Sequence, residues 1–247
     1  GTKYFEEFLR DTFLWRIVRN TILLNVFGLL WGFPMPIILA LLLNEVRVNW
    51  FKRSIRTVTY LPYFVSSVIL IGIMMDMLSP YNNGIVNDLL AALGFKKIYF
   101  FGEAKWFRTL YIAAGIWQNM GYNSIIYLAA IAGINPELYE SATIDGANRL
   151  HKIRYITIPG ILPTATILLI LSMGGLLGSD TAKILLMYSP ATYETSDVIS
   201  TYVFRAGIQD ARISFGTAVG LLTATVAFAF VFTANYWSRK VGETSLW

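Results

Sequence analysis

Residues 117–123 read Trp-Gln-Asn-Met-Gly-Tyr-Asn in the middle of an otherwise apolar stretch. Trp117, Gln118, Asn119, Tyr122 and Asn123 offer amide donors and acceptors beside flat aromatic faces, equipment for holding a hydroxyl-rich solute without covalent chemistry. On a helix Gln118 and Asn119 stand about 100° apart, with Tyr122 and Asn123 one turn later on the same faces. An unpaired amide left in hydrocarbon would cost about 2–7 kcal/mol. The stripe must therefore face a neighbouring helix or a wet cavity, and the residues alone leave both open.

Catalytic sets are missing from the sequence. It has no cysteine and one histidine, His151, which excludes thiol nucleophiles, disulfides and multi-histidine metal sites. No Gly-Lys-Ser/Thr run occurs, so the chain carries no phosphate-binding loop for ATP. A membrane enzyme would need several acids or metal ligands at membrane depth, and Asp76, near a span end, is the one candidate. The net charge of +5 gathers at the ends of apolar stretches, a pattern that does not point to nucleic acid.

The elements that position the amides are membrane helices. The chain is 55% hydrophobic and 14% charged, against roughly 25% charged in soluble domains, with a mean hydropathy of +0.55. The fold class is all-α, a polytopic helical membrane protein. Five stretches reach the roughly 20 residues of a span: Thr21–Leu43, Thr57–Leu78, Thr109–Ile131, Ile161–Gly178 and Gly216–Trp237. Pro34 and Pro36 predict a kink in the first, and Gly174-Gly175 close contact by the fourth.

Basic residues set the orientation. Arg47, Lys52, Arg53 and Arg56, then Arg149, Lys152 and Arg154, then Arg239 and Lys240 place three connections in the cytoplasm. Lys96, Lys97, Lys105 and Arg108 blemish the pattern, because alternation puts them outside. Residues 1–20 form an outer-face N-terminal segment and 21–247 the transmembrane domain. A chain that starts outside without a leader predicts a further N-terminal span, six in the full-length protein. Two outer segments are too apolar for linkers. Tyr81–Phe101 has a turn at Asn82-Asn83-Gly84, then Ile85, Val86, Leu89, Leu90 and Leu93 at helical spacing. Tyr188–Arg212 turns at Ser189-Pro190. Each either meets a soluble partner or packs as a lid over the spans.

The cytoplasmic stretch 136–159 has its own signals. Asn135 caps a helix that begins at Pro136 and stops near Gly146, which takes a left-handed conformation cheaply. Asp145 is placed to cap a second helix, with Ala147, Leu150, Ile153 and Thr157 on one face, halted by Pro159. A basic helix–turn–helix between two spans makes a docking knob for a cytoplasmic partner.

Glu140, Ala142, Gly146, Ile156 and Pro159 fall in a register that resembles the EAA loop of ABC importer permeases: Glu-Ala-Ala, three residues, Gly, nine residues, Ile-x-Leu-Pro. Ser141 and Ile158 depart mildly from it. Over nearly the whole chain the sequence is similar to the oligosaccharide branch of the maltose-type permeases, its LplB-type subunits above all. The pieces are Arg19-Asn20-Thr21, Asn83-Gly84-Ile85-Val86-Asn87, Ile116-Trp117-Gln118, Ser200-Thr201-Tyr202-Val203, Thr217-Ala218-Val219-Gly220-Leu221 and Glu243-Thr244-Ser245-Leu246-Trp247. Gly178-Ser179-Asp180-Thr181-Ala182-Lys183 stands where such subunits carry a Gly-Phe-Asp-Gln-like run.

The resemblance implies a heteromeric importer in the cytoplasmic (inner) membrane of a prokaryote, carrying an oligosaccharide or modified sugar. Its partners would be a second related permease, two cytoplasmic ABC ATPases and an extracytoplasmic solute-binding protein. No cofactor is bound by this chain; ATP and Mg belong to the ATPases. Docking falls to Glu140, Ala142, Asp145, Gly146, Arg149, Ile156 and Pro159, although positive-inside topology alone accounts for Arg149, Lys152 and Arg154. The sugar path falls to Trp117, Gln118, Asn119, Tyr122 and Asn123.

Overall fold

The computed structural model describes residues 2–81 and 84–241. Asn82, Asn83 and the tail Glu243–Trp247 therefore lie outside the described residues. The described residues hold no strand. In order the helices are α1 (Lys3–Leu9), α2 (Leu14–Gly32), α3 (Pro34–Glu45), α4 (Asn49–Tyr60), α5 (Ser67–Leu78), α6 (Ile85–Ala92) and α7 (Ala104–Ala132). Then follow α8 (Pro136–Ile144), α9 (Arg149–Lys152), α10 (Ile158–Met173), α11 (Thr181–Met187), α12 (Tyr193–Ser196), α13 (Ile199–Val203) and α14 (Ile213–Val241).

Among the described residues, three helical runs are each long and apolar enough to cross a membrane: Leu14–Glu45, Arg149–Met173 and Ile213–Lys240. In the first, α2 and α3 meet at Phe33, whose backbone stays in the helical region, and Pro34 and Pro36 fall in the first turn of α3. Helix α7 has the length, at 29 residues, but its amides and aromatics lower its hydropathy below the other three. The expected span Thr57–Leu78 is not one helix. Helix α4 ends in a tight turn, Leu61–Phe64, and α5 leaves it at 106°. Pro62 lies in that turn, and Ser66 caps α5 through the Ile69 N–H. The fourth span is corrected too: the helix that carries it begins at Arg149, within the cytoplasmic hairpin, and ends at Met173.

The chain divides into two units. The first is Gly1–Leu29, Val65–Gly115 and Gly175–Phe228. One of its cores joins Leu24, Leu70, Ile71, Phe107, Ile184 and Val198, from α2, α5, α7, α11 and the stretch after α12. Helix α6 turns Val86 and Leu90 onto this core and leaves Ile85, Leu89 and Leu93 exposed. Its buried Asn87 donates to the Leu78 and Ile98 carbonyls at 2.7 and 3.0 Å and accepts from the Ile98 N–H at 2.8 Å. One side chain thus satisfies backbone that no helix serves. A second core gathers Phe8, Ile17, Ile199, Ala206, Phe215 and Val219. There Gly207 and Gly216 let two backbones meet: a Cβ on Gly207 would stand 3.3 Å from the Gly216 Cα. Tyr202 donates its hydroxyl to Asp11. Burial first, then that carboxylate, holds its phenol above the usual range.

The second unit is Leu30–Phe64, Ile116–Gly174 and Ala229–Trp247. Its core is Ala40, Tyr127, Ile131, Ile161 and Ala165, from α3, α7 and α10. Gly174 approaches α14, where a Cβ would meet the Val231 side chain at 3.0 Å. Small residues at such crossings let dispersion do the work that the hydrophobic effect does in water.

Candidate functional site

Two places in the second unit carry the sequence candidates. The first is the 136–159 hairpin. Asn135 accepts from the Glu137 N–H and starts α8, whose first residue is Pro136. At the other end Gly146 sits at φ +77°. Ala147 N–H reaches the Ala142 carbonyl at 2.8 Å, and Gly146 N–H reaches Thr143 at 3.1 Å. These are the paired closing bonds of a Schellman turn.

Two expectations for the second half are corrected. Asn148, not Asp145, caps α9: its side chain accepts from the His151 N–H at 2.9 Å, while Asp145 is the closing residue of α8. Gly146 separates the two roles, because the chain must reverse before a new helix can start. Pro159 does not halt the helix. Residues Ile153–Thr157 are π-wound, with Ile158 N–H on the Ile153 carbonyl, and the helix runs on through Pro159 into α10. Leu150, placed on one face with Ala147, Ile153 and Thr157, is 75% exposed.

The hairpin is braced. Tyr139 on α8 and Thr157 in the π turn share a hydroxyl bond of 3.0 Å, and Lys152 donates to Thr143 at 2.7 Å. Ala142 and Ile156 are half-buried, whereas Glu140, Asp145, Gly146, Arg149 and Pro159 are exposed. Sequence reasoning passed over the apolar tip: Ile144 is 87% exposed and stands with Leu138 and Leu150 among the exposed apolar side chains. Its signal was three aliphatic residues in a stretch assigned to water.

The second place is the middle of α7. Gly121 is buried against α4 so closely that a Cβ there would overlap the Thr59 carbonyl. That approach stacks Tyr122 on Tyr63, with ring centroids 3.8 Å apart and planes 6° from parallel, and Phe64 meets Tyr122 edge-on. Trp117, Tyr122 and Asn123 are exposed; Gln118 and Asn119 are half-buried and already engaged in interactions. The five expected residues thus share one helix segment. Tyr63 and Phe64 were missed, because a straight second span would have carried them elsewhere.

A polar knot in the first unit was also missed. The fully buried Asp197 accepts from Arg205 at 2.7 Å, Arg16 at 2.9 Å and Thr201 at 3.1 Å. Burial lowers the Arg205 pKa, but bonding to Asp197 more than offsets it and leaves the pKa raised. Asn20 donates to the Glu194 and Asp197 carbonyls at 2.9 and 3.0 Å and accepts from Arg108 at 3.0 Å. The knot holds residues 194–201 to α2. Asp180 caps α11 through the Lys183 N–H, so the departing Gly178–Lys183 run makes a capping turn. No group of three or more metal-ligating side chains occurs among the described residues.

The family of binding-protein-dependent transport system inner membrane components matches residues 32–242. The polygalacturonan/rhamnogalacturonan transport system permease protein YteP of Bacillus subtilis (strain 168) is 38% identical over 247 residues, all of this chain and 77% of that protein. Protein LplB of the same organism is 38% identical over 246 residues, with the same coverage, 100% and 77%. In the crystal structure of a bacterial alginate ABC transporter, in complex with an alginate pentasaccharide-bound periplasmic protein, one chain superposes with a TM-score of 0.95. It is 44% identical, and the match covers 100% of this chain and 85% of that one.

Proposed function

The chain belongs to the binding-protein-dependent transport system inner membrane components and is a permease of an ABC importer, and from that premise we propose that it carries acidic oligosaccharides. One observation carries the cargo: the 44% identity, over the full chain, to a permease of an alginate transporter, with YteP pointing to the same uronate chemistry. The α7 site fits the sugar half of that cargo. Tyr122, backed by Tyr63, presents a stiff aromatic face for a pyranose ring, and Trp117 and Asn123 flank it on the exposed side. Gln118 and Asn119 supply amides from the half-buried side.

In this reading a second permease completes the path, a solute-binding protein delivers the sugar and two ATPases hold ATP and Mg. ATP hydrolysis is their chemistry, and this chain contributes the lever. Closing ATPases push on the exposed tip of α8. The Tyr139–Thr157 and Lys152–Thr143 bonds pass that movement to the helix running from Arg149 to Met173. The membrane is the inner membrane of a prokaryote.

The test is uptake by the reconstituted importer, comparing oligogalacturonate with a neutral oligosaccharide of equal length. Uptake of the acidic sugar should dominate, and Asn119→Ala with Asn123→Ala should lower uptake per assembled complex. If those changes only deplete the subunit from the complex while uptake per complex holds, the amides are interhelical glue. Equal or preferred uptake of the neutral sugar would reject the acidic cargo.

A further inference from the structure

Between α4 and α8 lies a cleft of about 530 Å³ with two unlike walls. Lys52 and Arg56 line one side, with Glu140 on the α8 side; Leu128, Ile131 and Ile134 supply an apolar surface. Neither cation is paired with a carboxylate among the described residues, and the buried Nε of Arg56 has no partner. Glu140 leaves a net charge of +1 among the charged lining residues, two cations less one carboxylate. The volume lies within the range of roughly 300–1,000 Å³ common for small-ligand sites.

The setting selects the ligand. Helix α4 exposes Trp50, Phe51 and Val58 while Lys52 and Arg56 are half-buried. Its axis turns through 106° before α5. Amphipathic helices with aromatic and basic residues of this kind lie in the plane of a membrane interface. We propose that this cleft binds the phosphodiester of an anionic phospholipid from the cytoplasmic leaflet, with Lys52 and Arg56 on the phosphate and the apolar wall against the glycerol and first acyl carbons. One negative phosphodiester neutralises the cleft. A free phosphate would leave the apolar wall wet, which is why a lipid is the occupant. The lipid would bridge α4 to the docking helix, so that leaflet charge sets the stiffness of the coupling hairpin. This rests on the cytoplasmic placement of α8. A wrong placement would show as outside labelling of a cysteine at His151, which failure of the lipid site would leave untouched.

The experiment uses the assembled transporter with its partner subunits. Native mass spectrometry counts phosphatidylglycerol retained by the wild-type complex and by complexes carrying Lys52→Gln with Arg56→Gln. Each cation near an anionic surface contributes about fivefold, so the double change should weaken retention by about 25-fold. A second variant, Ala132→Phe, narrows the apolar side without touching a charge and should also lower retention; Lys96→Gln with Lys97→Gln should not. In nanodiscs, phosphatidylglycerol should raise sugar-stimulated ATP hydrolysis over pure phosphatidylcholine in the wild type and not in the double variant. Retention equal in wild type and double variant, or inorganic phosphate replacing phosphatidylglycerol in the nanodiscs, overturns the proposal.

Discussion

Gly121 shows how one absent side chain places others. Its α carbon passes the α4 backbone where any Cβ would overlap the Thr59 carbonyl, and the Tyr63–Tyr122 stack follows from that approach. Gly121→Val must therefore separate α4 from α7. The expected outcome is a loss of sugar-stimulated hydrolysis with a lower thermal midpoint of the complex, measured against Gly115→Val, where a Cβ would meet nothing within 4 Å. Equal effects at the two positions would remove the stack from the site. Asp197 argues the same scale through charge. Two arginines converge on a carboxylate with no exposed surface, and removing one member of such a group costs about 3–5 kcal/mol. Asp197→Ala should yield a complex with a sharply lower midpoint, while Asp197→Asn keeps shape and part of the bonding and should fall between. An unchanged midpoint in Asp197→Ala would mean that the knot adds nothing to stability.

The elements divide into those that local signals specify and those that tertiary contact specifies. Asn135, Pro136 and Gly146 are caps and a reversal readable from residue type, and the structure has α8 where they put it. Asp145 and Asn148 are both good caps, and sequence cannot tell which one follows the reversal; the two closing bonds at Ala147 and Gly146 decide it. The Pro62 turn reads as part of an apolar run, because hydropathy sees composition and not direction, so the 106° bend stayed hidden and Tyr63 and Phe64 with it. The Asp197 knot joins Arg16 to a residue 181 positions away, and no local pattern announces it. At this scale the docking hairpin makes the clearest prediction. Gly146→Val meets no atom within 4 Å but would hold a branched residue at φ +77°, a strain of about 1–3 kcal/mol. The altered subunit should reach the membrane yet assemble poorly with the ATPases or lose stimulated hydrolysis; Ile144→Ser with Leu150→Ser, which leaves the turn intact, should weaken assembly alone. Normal co-purification and undiminished hydrolysis in both variants would take the hairpin out of the coupling.

The basic residues sort by unit. The second unit collects Arg47–Arg56, Arg149–Arg154 and Arg239-Lys240, every connection that the basic residues assign to the cytoplasm. The first unit collects the N-terminal segment and both apolar outer segments. Lys96, Lys97, Lys105 and Arg108, which spoil a simple count, fall in the first unit, and two of them are neutralised there: Lys97 meets Asp88 at 2.9 Å and Lys105 meets Glu103 at 2.7 Å. Neighbouring acids weigh little in the positive-inside rule, so these four cations remain a departure from it. The sidedness can be tested without background, because the chain has no cysteine. Arg53→Cys and His151→Cys stand at exposed positions of the second unit, Leu93→Cys and Ile208→Cys at exposed positions of the first. In intact cells an impermeant maleimide should label the last two and spare the first two, and permeabilised cells should label all four. Labelling of His151→Cys in intact cells would put the 136–159 hairpin outside, where no ATPase could reach it.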